Sequence, residues 1–247
     1  MRITTIIRYT TGFIAIAFIL IGLDANRFRV TQILLDTEAA PYLKQLDGYA
    51  FALVSDIHLK DTPTAWSKWE NIIEAVNEQD PDYVFLLGDY TAEIYDQAAL
   101  AAFQTRFLSS VATFEAPTFS VLGNHETWNG RDSWIDAFEV LSSTVLENEA
   151  TIGSGRKKLC IIGIGDSYTG FAERTETSCE NLPKVTITHD PSAAFELEGT
   201  GLWFAAHTHC GQVSLPWIRS IIAPTSAPKT AHCGYHRGDD ISIVTSS

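Results

Sequence analysis

Apolar and polar positions along this chain fall into blocks rather than single alternations. "YAFALVS" is an apolar run that stops at Asp56. "TAWSKWENIIEAVNEQD" then places Trp66, Trp69, Ile72, Ile73 and Val76 on one helical face, and Pro81 follows its end. "YVFLLG" runs up to Asp89, "DQAALAAFQTRFLSSV" reads as a helix, "TFSVLG" runs up to Asn124, and "DSWIDAFEVL" reads as a short helix. Near-continuous apolar strands alternating with helices predict an α/β fold with strands buried on both faces. The second half is strand-rich: "TVLE", "KLCIIGIGD", "KVTITH", "LWFAAH", "GQVSL" and "ISIVT". It predicts a second sheet packed on the first. Trp66 and Trp69 read as core.

Upstream, Arg2 and Arg8 precede an apolar run from Gly12 to Leu23. Residues 1–24 therefore read as a signal-anchor or transmembrane segment. Leu23 stands where a cleavage site wants a small residue, which favours an uncleaved anchor over a cleaved signal or a core helix. Residues 25–47 read as a linker with one strand, "FRVTQILL", and residues 48–247 as the main folded domain. The N-terminal positive charges put that domain outside the cytoplasm, at the cell membrane; Arg27 and Arg29 keep the cytoplasmic face as the alternative.

Composition narrows the function. The formal net charge is −13 over 247 residues. A chain this acidic is a poor phosphate-backbone binder, so no nucleic-acid surface is expected. Four cysteines without a C-x-x-C pair suit two disulfides in an oxidising compartment rather than a zinc ribbon. Pairing Cys160 with Cys179 and Cys210 with Cys233 closes two modest local loops. His232 and His236 flank Cys233, and their segment reads as a loop near the substrate mouth more readily than as a zinc cluster.

The candidate chemistry lies at strand ends. Asp56 and His58 follow the first strand, Asp89 the second, Asn124 and His125 the third; His189 and then His207 with His209 end later strands. Five of the seven histidines, His125 among them, belong to this set. In open α/β sheets, ligands bind outside the carboxyl ends of strands. A mixed nitrogen and oxygen set without thiolate suits Mn²⁺, Fe, Zn²⁺ or Mg²⁺. Two such ions can clamp a phosphate. Trp128 and Trp217 follow motif segments and are candidates for the substrate entrance, and Glu126 reads as a residue that orients its loop.

In order, "DIH", "GD", "GNHE", "HD" and "AHTH" resemble the motifs of the calcineurin-like metallophosphoesterase superfamily from about Gly48 onward. "HTHCGQVSLP" further resembles its membrane-associated bacterial branch, with H-T-H-x-G-Q. The resemblance implies a four-layer sandwich of two sheets flanked by helices. It implies a first metal on Asp56, His58, Asp89 and His209, and a second on Asp89, Asn124, His189 and His207, with Mn²⁺ favoured. Asn124 and His125 would meet the substrate, with Trp128 beside them. His125 would protonate the leaving oxygen as a metal-bridging hydroxide attacks phosphorus. The implied protein is a monomer acting on a phosphodiester, a phosphomonoester or a lipid- or sugar-nucleotide pyrophosphate. Ala206 and Cys210 stand where the family often has glycine, and the chain stops soon after "ISIVT", where relatives usually continue, so an open sheet edge is expected there. "GDYTAE" lacks the D-R-G extension of protein phosphatases.

Two other functions compete. A non-catalytic scaffold on the same fold would lose ligands, whereas every position is retained here. A β-lactam or thioester hydrolase would need an H-x-H-x-D-H cluster, which "HTHCGQ" does not supply.

Overall fold

The apolar blocks become two sheets stacked face to face. The computed structural model describes residues 28–246, except 93, 95, 142, 177, 178, 180 and 211–222. The expected anchor at 1–24, the "GQVSL" strand and Trp217 lie outside the described residues. Among the described residues, no helix is long and apolar enough to cross a membrane. Ile33–Ser247 forms one unit by its internal contacts.

The first sheet holds β1 (Phe51–Val54), β2 (Tyr83–Leu86), β3 (Thr118–Ser120) and β4 (Thr144–Val145), in that order and all parallel. The second holds β5 (Glu149–Gly153), β6 (Leu159–Gly163), β7 (Lys184–Ile187), β8 (Gly201–Ala205), β9 (Gly234–Arg237) and β10 (Ile241–Thr245). Its order is β5-β6-β7-β8-β10-β9. The pairs β5–β6 and β9–β10 are antiparallel and the rest parallel. Among the described residues, five α-helices accompany the strands: α1 (Pro41–Lys44), α2 (Pro63–Asn77), α3 (Gln97–Val111), α4 (Asn124–Val140) and α5 (Ser192–Glu196).

The side chains of each strand divide between two layers, as the strand period of two requires. Tyr83, Phe85, Phe119 and Val121 from the first sheet meet Leu159, Ile161, Val185, Ile187, Leu202, Phe204 and Val244 from the second. The opposite face of the first sheet, with Val54, Val84 and Leu86, is covered by Trp66, Trp69, Phe103, Phe107, Trp134 and Phe138 of α2, α3 and α4. On the outer face of the second sheet, Trp203, Ala205 and Ile243 pack on Ala193 and Ala194 of α5 and on Ala231. The order is helices, sheet, sheet, and a thin last layer whose helix is five residues long. Local signals set the helix starts: Thr62 and Asp96 accept from Ala65 N and Ala99 N at 3.3 and 2.8 Å. Pro63 occupies the first turn of α2.

Four expectations change. "FRVTQILL" forms no strand: residues 28–35 have irregular backbone. The linker ends instead in α1, where Leu43 is buried against the inter-sheet core with Leu46 and Ala40. The helix expected from residue 132 begins at Asn124, because Glu126 caps the chain there; Gly130, at φ 116°, kinks it. "EATIG" and "GYHR" are strands that the apolar pattern missed; edge strands with one wet face carry weak hydrophobic signals. "ISIVT" is an interior strand flanked by β8 and β9, so the open edge expected at it is covered.

The cysteines pair Cys160 with Cys179 and Cys210 with Cys233. With Cys233 bonded, His232 directs Nε2 to Ala227 O at 2.9 Å, and His236 packs near Phe195 on the outer face. The disulfide takes up the Cys233 thiolate that a zinc site here would need.

Candidate metal centre

Seven residues predicted as ligands meet at the carboxyl ends of β1, β2, β3, β7 and β8. Asp56, His58, Asp89, His207 and His209 all have positive φ, between 43° and 67°. Left-handed backbone is uncommon for residues with a Cβ, and its concentration at strand ends marks a shape held by its surroundings. Two glycines make the shape possible. A Cβ on Gly88 would meet Gly123 N at 2.6 Å and His189 Nδ1 at 2.7 Å. One on Gly123 would meet Asp89 Oδ1 at 2.4 Å. These glycines precede Asp89 and Asn124, so the "GD" and "GNHE" signals reflect close approach of backbone to ligand.

The cluster has two halves. In one, His58 Nε2 and His209 Nε2 are 3.2 Å apart, and His209 Nε2 lies 3.6 Å from Asp56 Oδ1. In the other, His189 Nε2 lies 3.2 Å from Asn124 Oδ1 and 3.1 Å from His207 Nδ1. Asp89 faces both: Oδ2 is 3.7 Å from His58 Nε2 and Oδ1 is 3.4 Å from His189 Nε2. His125 lies with the first half, its ring 4.5 Å from that of His58 and its backbone N–H donating to Asp89 Oδ1 at 2.9 Å. Its ring also forms a possible three-residue ligand group with His58 and Asp89.

Whether cations fit can be judged from the donors themselves. His189 Nδ1 donates to Leu87 O at 2.6 Å, and His207 Nε2 donates to Pro224 O at 2.7 Å. Each carbonyl fixes a tautomer and turns the other nitrogen, with its lone pair, into the cluster. Both carboxylate oxygens of Asp56 are buried and have no hydrogen-bond partner among the described residues. Lone pairs facing lone pairs, beside an orphaned carboxylate, are costly unless a proton or a cation lies between them. The set fits divalent cations.

Electrostatics points the same way. Burial disfavours charge on Asp89, but His189 beside it outweighs burial and holds the carboxyl far below its ordinary range. Burial likewise works against charged His189, and Asp89 overrides it, so that ring keeps its proton well above the usual imidazole range. His207 and His58 are lowered, mainly by burial. A raised pKa means that the protonated His189–Asp89 pair stabilises the cation-free fold fully below about 6.5. That contribution is lost as pH rises through the raised folded value. A cation must displace this proton. Cation affinity is therefore expected to rise with pH through neutrality, with about one proton released per chain. Calorimetry in buffers of different ionisation enthalpy measures this; heats independent of buffer would contradict it.

Glu126 is the residue whose weight the sequence understated. It is fully buried. Its Oε2 accepts from Asp89 N at 2.7 Å and Gly123 N at 3.0 Å, and its Oε1 from Tyr90 N at 2.8 Å. Burial first, and then the Asp89 charge, push its carboxyl up to about 7. Ala206 has no positive φ and is buried, so its methyl is accommodated; Cys210 does have φ 53°, where glycine would be relaxed, and is held by its bond to Cys233. Tyr168 was missed altogether. Its ring lies 4.7 Å from that of His207, and Trp128 lies 5.1 Å from His125. A tyrosine in a turn carries no sequence signal for a site.

Residues 49–240 match the family model for the calcineurin-like phosphoesterases. The chain is 33% identical over 153 residues to phosphodiesterase YaeI of Escherichia coli, covering 60% of this chain and 56% of that protein. It is 26% identical over 240 residues to a "Transmembrane protein with metallophosphoesterase domain" of Danio rerio, covering 87% of this chain and 51% of that protein. The chain thus spans about half the length of these curated relatives. A 5'-nucleotidase precursor from Thermus thermophilus shares the fold, with a TM-score of 0.51 at 14% identity, over 80% of this chain and 48% of that one.

Proposed function

From the premise that this chain belongs to the calcineurin-like phosphoesterase family, we propose that it is a metal-dependent phosphoester hydrolase with two divalent cations. The observation that carries the reading is Asp89, which directs one oxygen to each half of the cluster. Asp56, His58, Asp89 and His209 would hold one cation; Asp89, Asn124, His189 and His207 would hold the other. Two cations so held would supply charge neutralisation at the phosphate and activation of water near neutral pH.

The protein's own groups do the rest. Leu87 O and Pro224 O keep His189 and His207 in ligating tautomers. Glu126 fixes the backbone of Asp89 and Gly123, which sets the angle at which Asp89 and Asn124 enter. His125 stands on the first turn of α4 with Nδ1 buried and without a hydrogen-bond partner among the described residues, and it is proposed to bind the phosphate and protonate the leaving oxygen. Mn²⁺ is the favoured cation. The phosphodiester class leads, with YaeI named a phosphodiesterase in support.

Turnover of bis(p-nitrophenyl) phosphate with Mn²⁺ is the expected result. His125→Ala should lower kcat by about 10²–10⁴-fold while two cations stay bound. Folded protein inactive with Mn²⁺, Zn²⁺, Fe²⁺ and Mg²⁺ would sink the proposal. Attachment to a membrane through residues 1–24 belongs to the same reading, supported by the apolar run and by the name of the Danio rerio relative. Recovery of the full chain in the supernatant after membrane sedimentation would overturn that part.

A further inference from the structure

We propose that Trp128 and Tyr168 form an aromatic corner that binds the organic arm of the substrate and selects phosphoesters whose ester group is a flat ring. The inference rests on the phosphoesterase reading and adds the substrate class. Four rings run in sequence from one half of the centre to the other. His125 is 5.1 Å from Trp128, Trp128 is 6.3 Å from Tyr168, and Tyr168 is 4.7 Å from His207. The two outer rings belong to the candidate centre, and the two middle ones are exposed. Trp128 is 57% and Tyr168 48% accessible, which is unusual for large apolar side chains beside an otherwise buried cluster.

Trp128 and Tyr168 meet at 69°, edge to face. Both rings keep about half of their surface accessible, and a flat ring entering beside an edge-to-face pair can stack on one ring while touching the other. The corner is built rather than incidental. Asp166, buried three residues past the end of β6, accepts from Tyr168 N at 3.3 Å, Thr169 N at 3.0 Å and Thr169 Oγ1 at 2.8 Å. Phe171 N closes the turn onto Asp166 O at 2.9 Å. Trp128 is carried on the first turns of α4, next to His125. The neighbouring cation, Arg131, lies over Phe171 at 4.4 Å and pairs with Glu147 at 2.7 Å. Among the described residues, the corner therefore offers ring surface beside a cation that is already engaged, and suits an uncharged flat group more than a further phosphate.

Calorimetric titration of the Mn²⁺-loaded protein with phenyl, cyclohexyl and methyl phosphate tests this without requiring turnover. Phenyl phosphate is expected to bind about 5- to 150-fold more tightly than methyl phosphate, the range of ring stacking on an aromatic side chain. Trp128→Ala and Tyr168→Ala should each shrink that ratio, and Tyr168→Phe, which keeps the ring, should preserve it. Cyclohexyl phosphate binding as well as phenyl would show an apolar site without ring selection and overturn the proposal. So would a phenyl-to-methyl ratio near one, or a ratio unchanged in both alanine variants. Failure of the hydrolase reading shows separately, as the absence of bis(p-nitrophenyl) phosphate turnover by the same preparation.

Discussion

Asp89→Asn is expected to reduce bound cations from two per chain to at most one and to lower turnover by on the order of 10³-fold. Loss of a partner behind a metal ligand typically costs roughly 10–100-fold, and a shared ligand should exceed that. Asp89 alone, among the described residues of the cluster, has oxygens toward both His58 and His189. Asparagine keeps the shape and one acceptor oxygen, so the bond from His125 N and the fold are retained. It removes the charge and one of the two oxygens. Elemental analysis beside a turnover assay reads the result. Two cations with near-native turnover would show that Asp89 does not bridge.

Glu126→Ala should be the most damaging change to stability within the motif segments. The loss would orphan the backbone N–H groups of Asp89, Tyr90 and Gly123, all inside a buried region. Each unsatisfied group costs about 1–3 kcal/mol, so a loss of at least about 3 kcal/mol is expected. That is a large share of the roughly 5–15 kcal/mol that typically holds a domain together. Glu126→Gln should fall between, since one carbonyl oxygen remains while an amide N–H₂ faces donors. Denaturant unfolding of the cation-free protein measures both. A change under about 1 kcal/mol for alanine would mean that water or a rearranged turn satisfies those groups.

The ligand residues were legible because each follows an apolar strand, and a strand period carries them all to one sheet end. His189 and His207 could be named from "VTITHD" and "WFAAHTH" for this reason. Glu126 was visible only as a neighbour of Asn124 and His125. Three of its four backbone donors, at residues 89, 90 and 91, lie 35 to 37 residues away in the chain, and no local pattern announces such bonds; only the fourth, Gly123 N–H, is local. Tyr168 was invisible because its partners, Trp128 and His207, are brought near by sheet packing alone. α1 was misread as linker because four residues are too short for a helical period to register.

By itself the sequence determined the two-sheet α/β class, the order of the chemistry-bearing residues and the donor types offered to a cation. These follow from local period and side-chain chemistry, which a linear string contains. The tertiary structure decided the rest: the left-handed backbone at Asp56, His58, Asp89, His207 and His209, the tautomers of His189 and His207, and the ring corner at Trp128 and Tyr168. Each depends on backbone atoms and side chains far apart in the chain meeting within hydrogen-bond or ring-contact distance. Such distances are set by how the sheets stack, and stacking is a property of the whole core rather than of any segment.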